Sequence, residues 1–218
     1  MRAALVLAFV LCGAHTATAD PPTPMTSPRQ RSDSIEAVEK YLRPVLASAG
    51  KAGRIYYEAI CLAAEDYPLA FPRVKARPPL VNVTDLTAAR SVFREDKSVL
   101  VTEDTAGIIR VRIGRVPDAI LGTRISTLSL DPIEQYNSRV AIGAIEDTPE
   151  VRSAMERLRL VLPVRVVNMA VLRPAEGFPH LPPELSNVTM DQALDIVART
   201  WGIVFYGACA ERGIYEIF

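Results

Sequence analysis

The chain has 218 residues, 25 basic and 25 acidic side chains and a mean hydropathy of +0.15. Its charges are balanced and interleaved, so it lacks the clustered basic surface that phosphate-backbone binding needs, and no nucleic-acid partner is expected. The length suffices for one large or two small cored domains.

Met1-Arg2 opens a positive n-region, Ala3 to Leu11 is apolar, and Ala17-Thr18-Ala19 is an A-x-A cleavage signature, so residues 1–19 read as a secretory signal peptide. Leu11 precedes Cys12 where lipid attachment wants a small residue, which favours the A-x-A site. No other stretch approaches the roughly 18 uninterrupted apolar residues of a membrane span. A periplasmic or secreted protein with no integral membrane segment after signal cleavage is expected. Residues 20–32 carry four prolines and few large apolar groups, the composition of a disordered tail.

A region of mixed helices and strands is expected over 33–173. Asp33 with Glu36 signals a helix start, followed by Ile35, Val38, Leu42, Val45 and Leu46 on one face. Pro44 should kink or shorten that helix, and Gly50 and Gly53 close it. Arg54 to Leu62 reads as a strand, Tyr67-Pro68 and Phe71-Pro72 as turns, and Val74 to Ala76 as a short strand. A helix over Leu86 to Phe93, with Ala88, Ala89, Val92 and Phe93 as its apolar face, leads into strands Ser98–Thr102 and Ile108–Ile113. Pro117 to Leu121 looks like a helical turn and Arg124 to Leu130 like a strand. Asp147 with Glu150 caps a helix whose apolar face is Val151, Met155, Leu158 and Leu162, with Pro149 in its first turn. Val164 to Leu172 is the most hydrophobic strand candidate, and prolines at 174, 179, 182 and 183 make 174–184 a stiff connector.

Residues 185–218 form a compact module. Thr189 and Gln192 make a capping box, and Met190, Ala193, Leu194, Val197, Ala198 and Trp201 share one helical face, with Asp191, Gln192, Asp195 and Arg199 largely on the other. Gly202 ends the helix. Ile203–Tyr206 and Ile214–Phe218 then read as a hairpin, the second strand lying inside the sheet rather than at its rim. Asn82-Val83-Thr84 repeats as Asn187-Val188-Thr189, each before a helix and a hairpin, so 81–113 reads as a first copy of 185–218. The alternative is that helix-hairpin units look alike because physics allows few of them. The fold class expected is α+β, with repeated helix-plus-hairpin modules around small mixed or antiparallel sheets.

The downstream copy resembles the short N-terminal βαβ module of secretins and signalling-type TonB-dependent receptors. The likeness rests on Asn187-Val188-Thr189, Ala193-Leu194, Gly202 and Val204-Phe205-Tyr206, over 185–218 and to a lesser extent 81–113. The resemblance implies a small βαβ architecture and contact with a protein partner in the envelope.

Cys61 and Cys209 remain after signal removal, and in an oxidising compartment an even pair points to a disulfide, with two buried free thiols as the alternative. No C-x-x-C accompanies them, so no zinc site, other metal or cofactor is expected. His180, in Phe178-Pro179-His180-Leu181-Pro182, is the one histidine outside the signal segment. It reads as a ring packed in a rigid turn, or as the base of an exported hydrolase with a hydroxyl nucleophile. No G-x-S-x-G, H-E-x-x-H or phosphate loop supports the second choice. The acidic pairs Glu65-Asp66, Glu103-Asp104 and Glu146-Asp147 read as solvated turn or cap charges, because side chains adjacent in sequence point apart on a strand. Asn82 and Asn187 are formal glycosylation sequons whose place at helix entrances suggests capping first. With no catalytic residues assigned and no ligand site visible, the function expected is a non-catalytic exported envelope protein acting in protein–protein interaction or assembly.

Overall fold

The computed structural model describes residues 28–63, 68–162 and 177–218, with side chains from residue 35 onward. The signal peptide, the Glu65-Asp66 pair and the Val164–Leu172 strand candidate lie outside them.

A five-stranded mixed sheet organises this α+β fold, in the order β4-β5-β1-β8-β9. Its central strand is β1 (Gly53–Glu58), flanked on both sides by parallel partners, β5 (Ile109–Ile113) and β8 (Ile203–Cys209). Outside these lie β4 (Val99–Glu103) and β9 (Ile214–Ile217), each antiparallel to its neighbour. The described residues also form two small antiparallel ribbons: β2 (Ile60–Cys61) with β3 (Leu69–Ala70), and β6 (Arg124–Ser129) with β7 (Glu184–Thr189).

Side chains alternate across β1, so Ile55 and Tyr57 enter one core and Arg54 and Tyr56 face the other side. The first core lies under α1 (Pro28–Ala49) and α2 (Asp85–Val92), where Val38, Leu42, Ala89 and Val92 meet Ile55, Val111 and Phe205. The second is built by α4 (Ser138–Glu146), α5 (Pro149–Leu158) and α6 (Met190–Trp201) with the 3-10 helix Ala119–Gly122. A short α3 (Pro132–Tyr136) precedes α4.

On the first face, Tyr57 of β1, Gly207 of β8 and Glu216 of β9 stand in one cross-strand row. The Tyr57 ring lies across the strand at Gly207 and donates its hydroxyl to Glu216 Oε1 at 2.5 Å. A Cβ on residue 207 would sit 2.1 Å from Tyr57 Cζ, so only glycine leaves the ring its place.

Several expectations are corrected. The first helix starts at Pro28, ahead of Asp33, so the proline-rich tail does not extend to 32. It also runs through Pro44 to Ala49. Pro44 is exposed, so the turn whose hydrogen bond it removes faces water. Val74–Ala76 forms no strand. The helix at 149 is entered by Thr148, while Asp147 closes α4, and Arg159 in a left-handed conformation ends α5. Leu162 therefore lies outside that helix, and Val151 with Ala154 makes its buried face. The segment 131–146, read without helices, carries two: Asp131 and Glu134 form a capping box for α3, and the Asn137 side chain caps α4. Strand β9 is the last named strand of the sheet among the described residues; all four of its residues are buried, and Val161 bridges to Ile214 on its outer side.

Residues 85–113 and 190–217 both fold as a helix followed by an antiparallel hairpin, and Asn82 and Asn187 both take the left-handed backbone that asparagine tolerates, at φ 63° and 57°. The first unit enters the sheet antiparallel to β1, the second parallel to it. Two units of one hand placed head to tail in a common sheet must carry their helices on opposite faces, and α2 and α6 do so.

Candidate functional site: a charged cleft on the bare half of the sheet

The second β1 residue, Arg54, is fully buried and points at the start of α6. Its Nη1 donates to Asp195 Oδ1 at 2.8 Å and to the Asp191 main-chain oxygen at 2.9 Å, and its Nη2 to Asp191 Oδ1 at 3.0 Å. The β5 residue in register with it is Arg110. Arg110 Nη2 donates to Asp195 Oδ2 at 2.7 Å, Nη1 to Asp191 Oδ2 at 3.1 Å, and Nε to Asp104 Oδ2 at 2.9 Å. Each α6 aspartate thus bridges two arginines with its two oxygens, and every one of these bonds is charge-assisted on both sides. The Tyr56 hydroxyl accepts from Arg110 and donates to Asp191 Oδ1 at 2.9 Å.

The environment tunes these groups. Burial pushes the Tyr56 phenol well above its ordinary range, with the Arg54 charge opposing. Burial also raises the Asp195 carboxyl, opposed by Arg54 and Arg110. For Asp104 burial pushes upward, but the Ile108 amide and the Arg110 guanidinium outweigh it and hold the carboxyl below its usual value.

Beside this network a cleft of about 460 Å³ opens, floored by Tyr56. Leu100, Thr102, Arg110 and Arg112 line it from the sheet, Asp118, Leu121 and Gly122 from the 3-10 segment, and Thr189 and Asp191 from the entrance to α6. It exists because α6 packs over β1 and β8, while α2 packs on β4 from the other side. Among the described residues the α6-side face of β4–β5 is left without a covering helix, and Leu100 on it is 59% exposed. Arg112 stacks over the Tyr56 ring at 5.3 Å and pairs with Asp118 at 3.0 Å. No protein-family model, curated protein or solved structure matches this chain.

The residues singled out from sequence lie elsewhere. Cys61 and Cys209 form a disulfide with 5.7 Å between α-carbons, joining β2 to the end of β8. His180 is exposed, its Nδ1 3.1 Å from the Phe178 carbonyl oxygen and its ring 5.1 Å from that of Tyr136. Glu103, which pairs with Lys51, and Asp147 are exposed as expected, whereas Asp104 joins the buried network and Glu146 is buried, so these two are not solvated turn charges. Thr189 caps α6 as expected, whereas Thr84 makes no side-chain cap bond, and Asn187 Oδ1 accepts from Arg124 Nε at 2.6 Å.

Arg54, Tyr56, Arg110 and Arg112 were missed, and Asp191 and Asp195 were set opposite the apolar face of the helix with no partner named. The available signal was Ile109-Arg110-Val111-Arg112-Ile113, a strict alternation that marks a strand with one apolar and one charged face. A pair of aspartates four residues apart on α6 supplied its complement.

Proposed function

We propose that the chain is a non-catalytic exported module of protein–protein interaction or assembly, working in a bacterial envelope and docking through the bare face of β4–β5. The observation that carries this reading is the half-covered sheet: helices lie on both faces of β1 and β8, whereas the outward face of β4–β5 presents Leu100, Thr102 and Arg112 beside an open cleft. An exposed leucine beside polar and charged side chains at an open cleft gives a partner both apolar and polar contacts.

The chemistry of the cleft floor favours the same reading. Arg54, Arg110, Asp104, Asp191 and Asp195 hold one another through several ion pairs, although Arg54 Nε is left without a partner among the described residues, and such mutual fixing suits a rigid platform better than an acid–base pair poised to move a proton. The surroundings of His180, a carbonyl oxygen and a tyrosine ring, lend no support to a hydrolase. The resemblance to the secretin and TonB-receptor short module adds the expectation of an envelope protein as the partner.

The test is affinity capture from envelope extract with the tagged mature protein and its Leu100→Asp and Thr102→Arg variants. A partner retained by the parent and lost from both variants is expected. Identical captured sets for all three proteins would refute docking through this face.

A further inference from the structure

Two arginines line the cleft, and Arg112 is the more exposed and the less bonded of them. Arg112 projects from the inner strand β5, and its guanidinium is braced on the Tyr56 ring, a stacking that orients the fork without using its N–H donors. Among the described residues the Arg112 guanidinium commits a single nitrogen, Nη2, to Asp118. Both members of that pair are open to water, with side chains 41% and 52% exposed, and such pairs gain little over their separated forms. The neighbouring cations differ. Arg54 and Arg110 are tied to Asp191 and Asp195 by several bonds each, and Asp104 adds to Arg110.

Resting on the interaction reading above, we propose that Arg112 anchors a carboxylate carried by an extended acidic segment of the protein partner. The incoming carboxylate replaces Asp118, and an adjacent apolar side chain lies on Leu100. The asymmetry of the pair sets the sign of the partner's charge. Arg112 is held by a strand and an aromatic ring, while Asp118 sits in an irregular stretch before the 3-10 helix and can turn to solvent. A cationic partner would find Asp118 on an irregular stretch and Asp191 with both carboxylate oxygens already receiving donors, from Arg54 and Tyr56 on one and Arg110 on the other, so neither offers an acceptor as firmly placed as the Arg112 donors. The planar guanidinium has donors to spare for a bidentate carboxylate. Leu100, exposed on the adjacent strand opposite Arg112 in register, supplies the apolar contact beside it.

The experiment is fluorescence anisotropy with the full mature chain, disulfide intact, and three labelled synthetic peptides alternating leucine with glutamate, glutamine or lysine. The glutamate peptide should bind, and the glutamine and lysine peptides should bind at least about tenfold more weakly, the loss of one charge-assisted contact. Arg112→Gln should erase the preference, and Arg112→Lys should retain only part of it because the ammonium lacks the fork. Asp118→Asn should tighten the glutamate peptide about three- to fivefold, since it removes the internal competitor of an exposed pair. Tighter binding of the lysine peptide, or an Asp118→Asn protein that binds glutamate no better than the parent, would overturn the assignment. Displacement by inorganic phosphate with no preference among the peptides would do the same. A partner captured from envelope extract equally by parent and Arg112→Gln would remove the anchor and leave the interaction reading standing, whereas no captured partner at all would remove that reading.

Discussion

Gly207→Ala should be among the most damaging single-methyl additions in this protein. The new Cβ would stand 2.1 Å from Tyr57 Cζ and 2.4 Å from its hydroxyl oxygen. The ring cannot give way cheaply: Tyr57 is fully buried, its centroid is 4.6 Å from that of Phe71, and its hydroxyl is held by Glu216. Overpacking a core costs about 1–3 kcal/mol, and losing a hydrogen bond to a charged group adds about 1.5–3 kcal/mol. Reduced freedom of the unfolded chain returns about 0.4–1 kcal/mol. The net is about 2–5 kcal/mol, which for a chain of this size lowers the thermal midpoint by roughly 10 °C. Circular dichroism melts of the parent, Gly207→Ala, Tyr57→Leu and the double variant measure this directly. The double variant should be clearly more stable than the sum of the single losses, because shortening the side chain at 57 removes the atoms that the new methyl strikes. A midpoint drop below about 2 °C, or strict additivity in the cycle, would refute the row of Tyr57, Gly207 and Glu216 as the cause.

The Cys61–Cys209 disulfide closes a 148-residue separation, for which the chain-entropy model gives about 5 kcal/mol. Cys209→Ser should therefore melt lower than the parent under oxidising conditions and nearly level with it in reductant, and two free thiols in the unfolded, unreduced parent would dispose of the bond. Asp195→Ala strips a carboxylate from two arginines at once and should cost about 3–5 kcal/mol in denaturant unfolding, whereas Asp118→Asn at the exposed pair should cost under about 1 kcal/mol; equal losses would contradict the difference in burial. Asp104 has a folded pKa below the unfolded value of about 3.9, so its contribution is complete above that pH and is lost as the pH falls through the folded pKa. Asp104→Asn should accordingly flatten the acid limb of the melting curve below about pH 4, and parallel limbs for parent and variant would count against it.

The sequence showed its local chemistry more readily than its long-range pairing. The α6 boundaries were legible because Thr189, Gln192 and Gly202 act within a few residues of themselves, and all three cap as expected. Asp191 and Asp195 were set opposite the apolar stripe with no partner, because a helical wheel gives the side of a helix and not what packs against it. Here α6 packs against β1, β8, α4 and the 3-10 helix, so part of its polar side is also covered. What covers that part is an arginine 137 residues upstream of Asp191, a partner that no window of local periodicity contains. Strand β9 was legible in another way: Ile214, Tyr215, Glu216 and Ile217 alternate in no clean pattern because both of its faces are buried, and burial on two faces erases the period of a half-exposed strand. Pro44 was weighed as a breaker without knowing which side of α1 faced water, and that orientation decides what its missing donor costs.

The placing of β1 has a consequence for assembly of the chain itself. Its two partners come from later parts of the sequence, β5 from 109–113 and β8 from 203–209, and only β5 belongs to the contiguous stretch that also supplies α1, α2 and β4. The β1–β8 boundary is thus a seam between an early and a late half of the chain, and until it closes β1 offers an unpaired edge. Another copy's late half fits that edge as well as its own, which is the condition for a domain-swapped dimer. Cys61 lies on one side of the seam and Cys209 on the other, so oxidation fixes whichever closure has occurred. In a monomer the bond stays within one molecule, and in a swapped pair it crosses between two, where a non-reducing gel separates the outcomes.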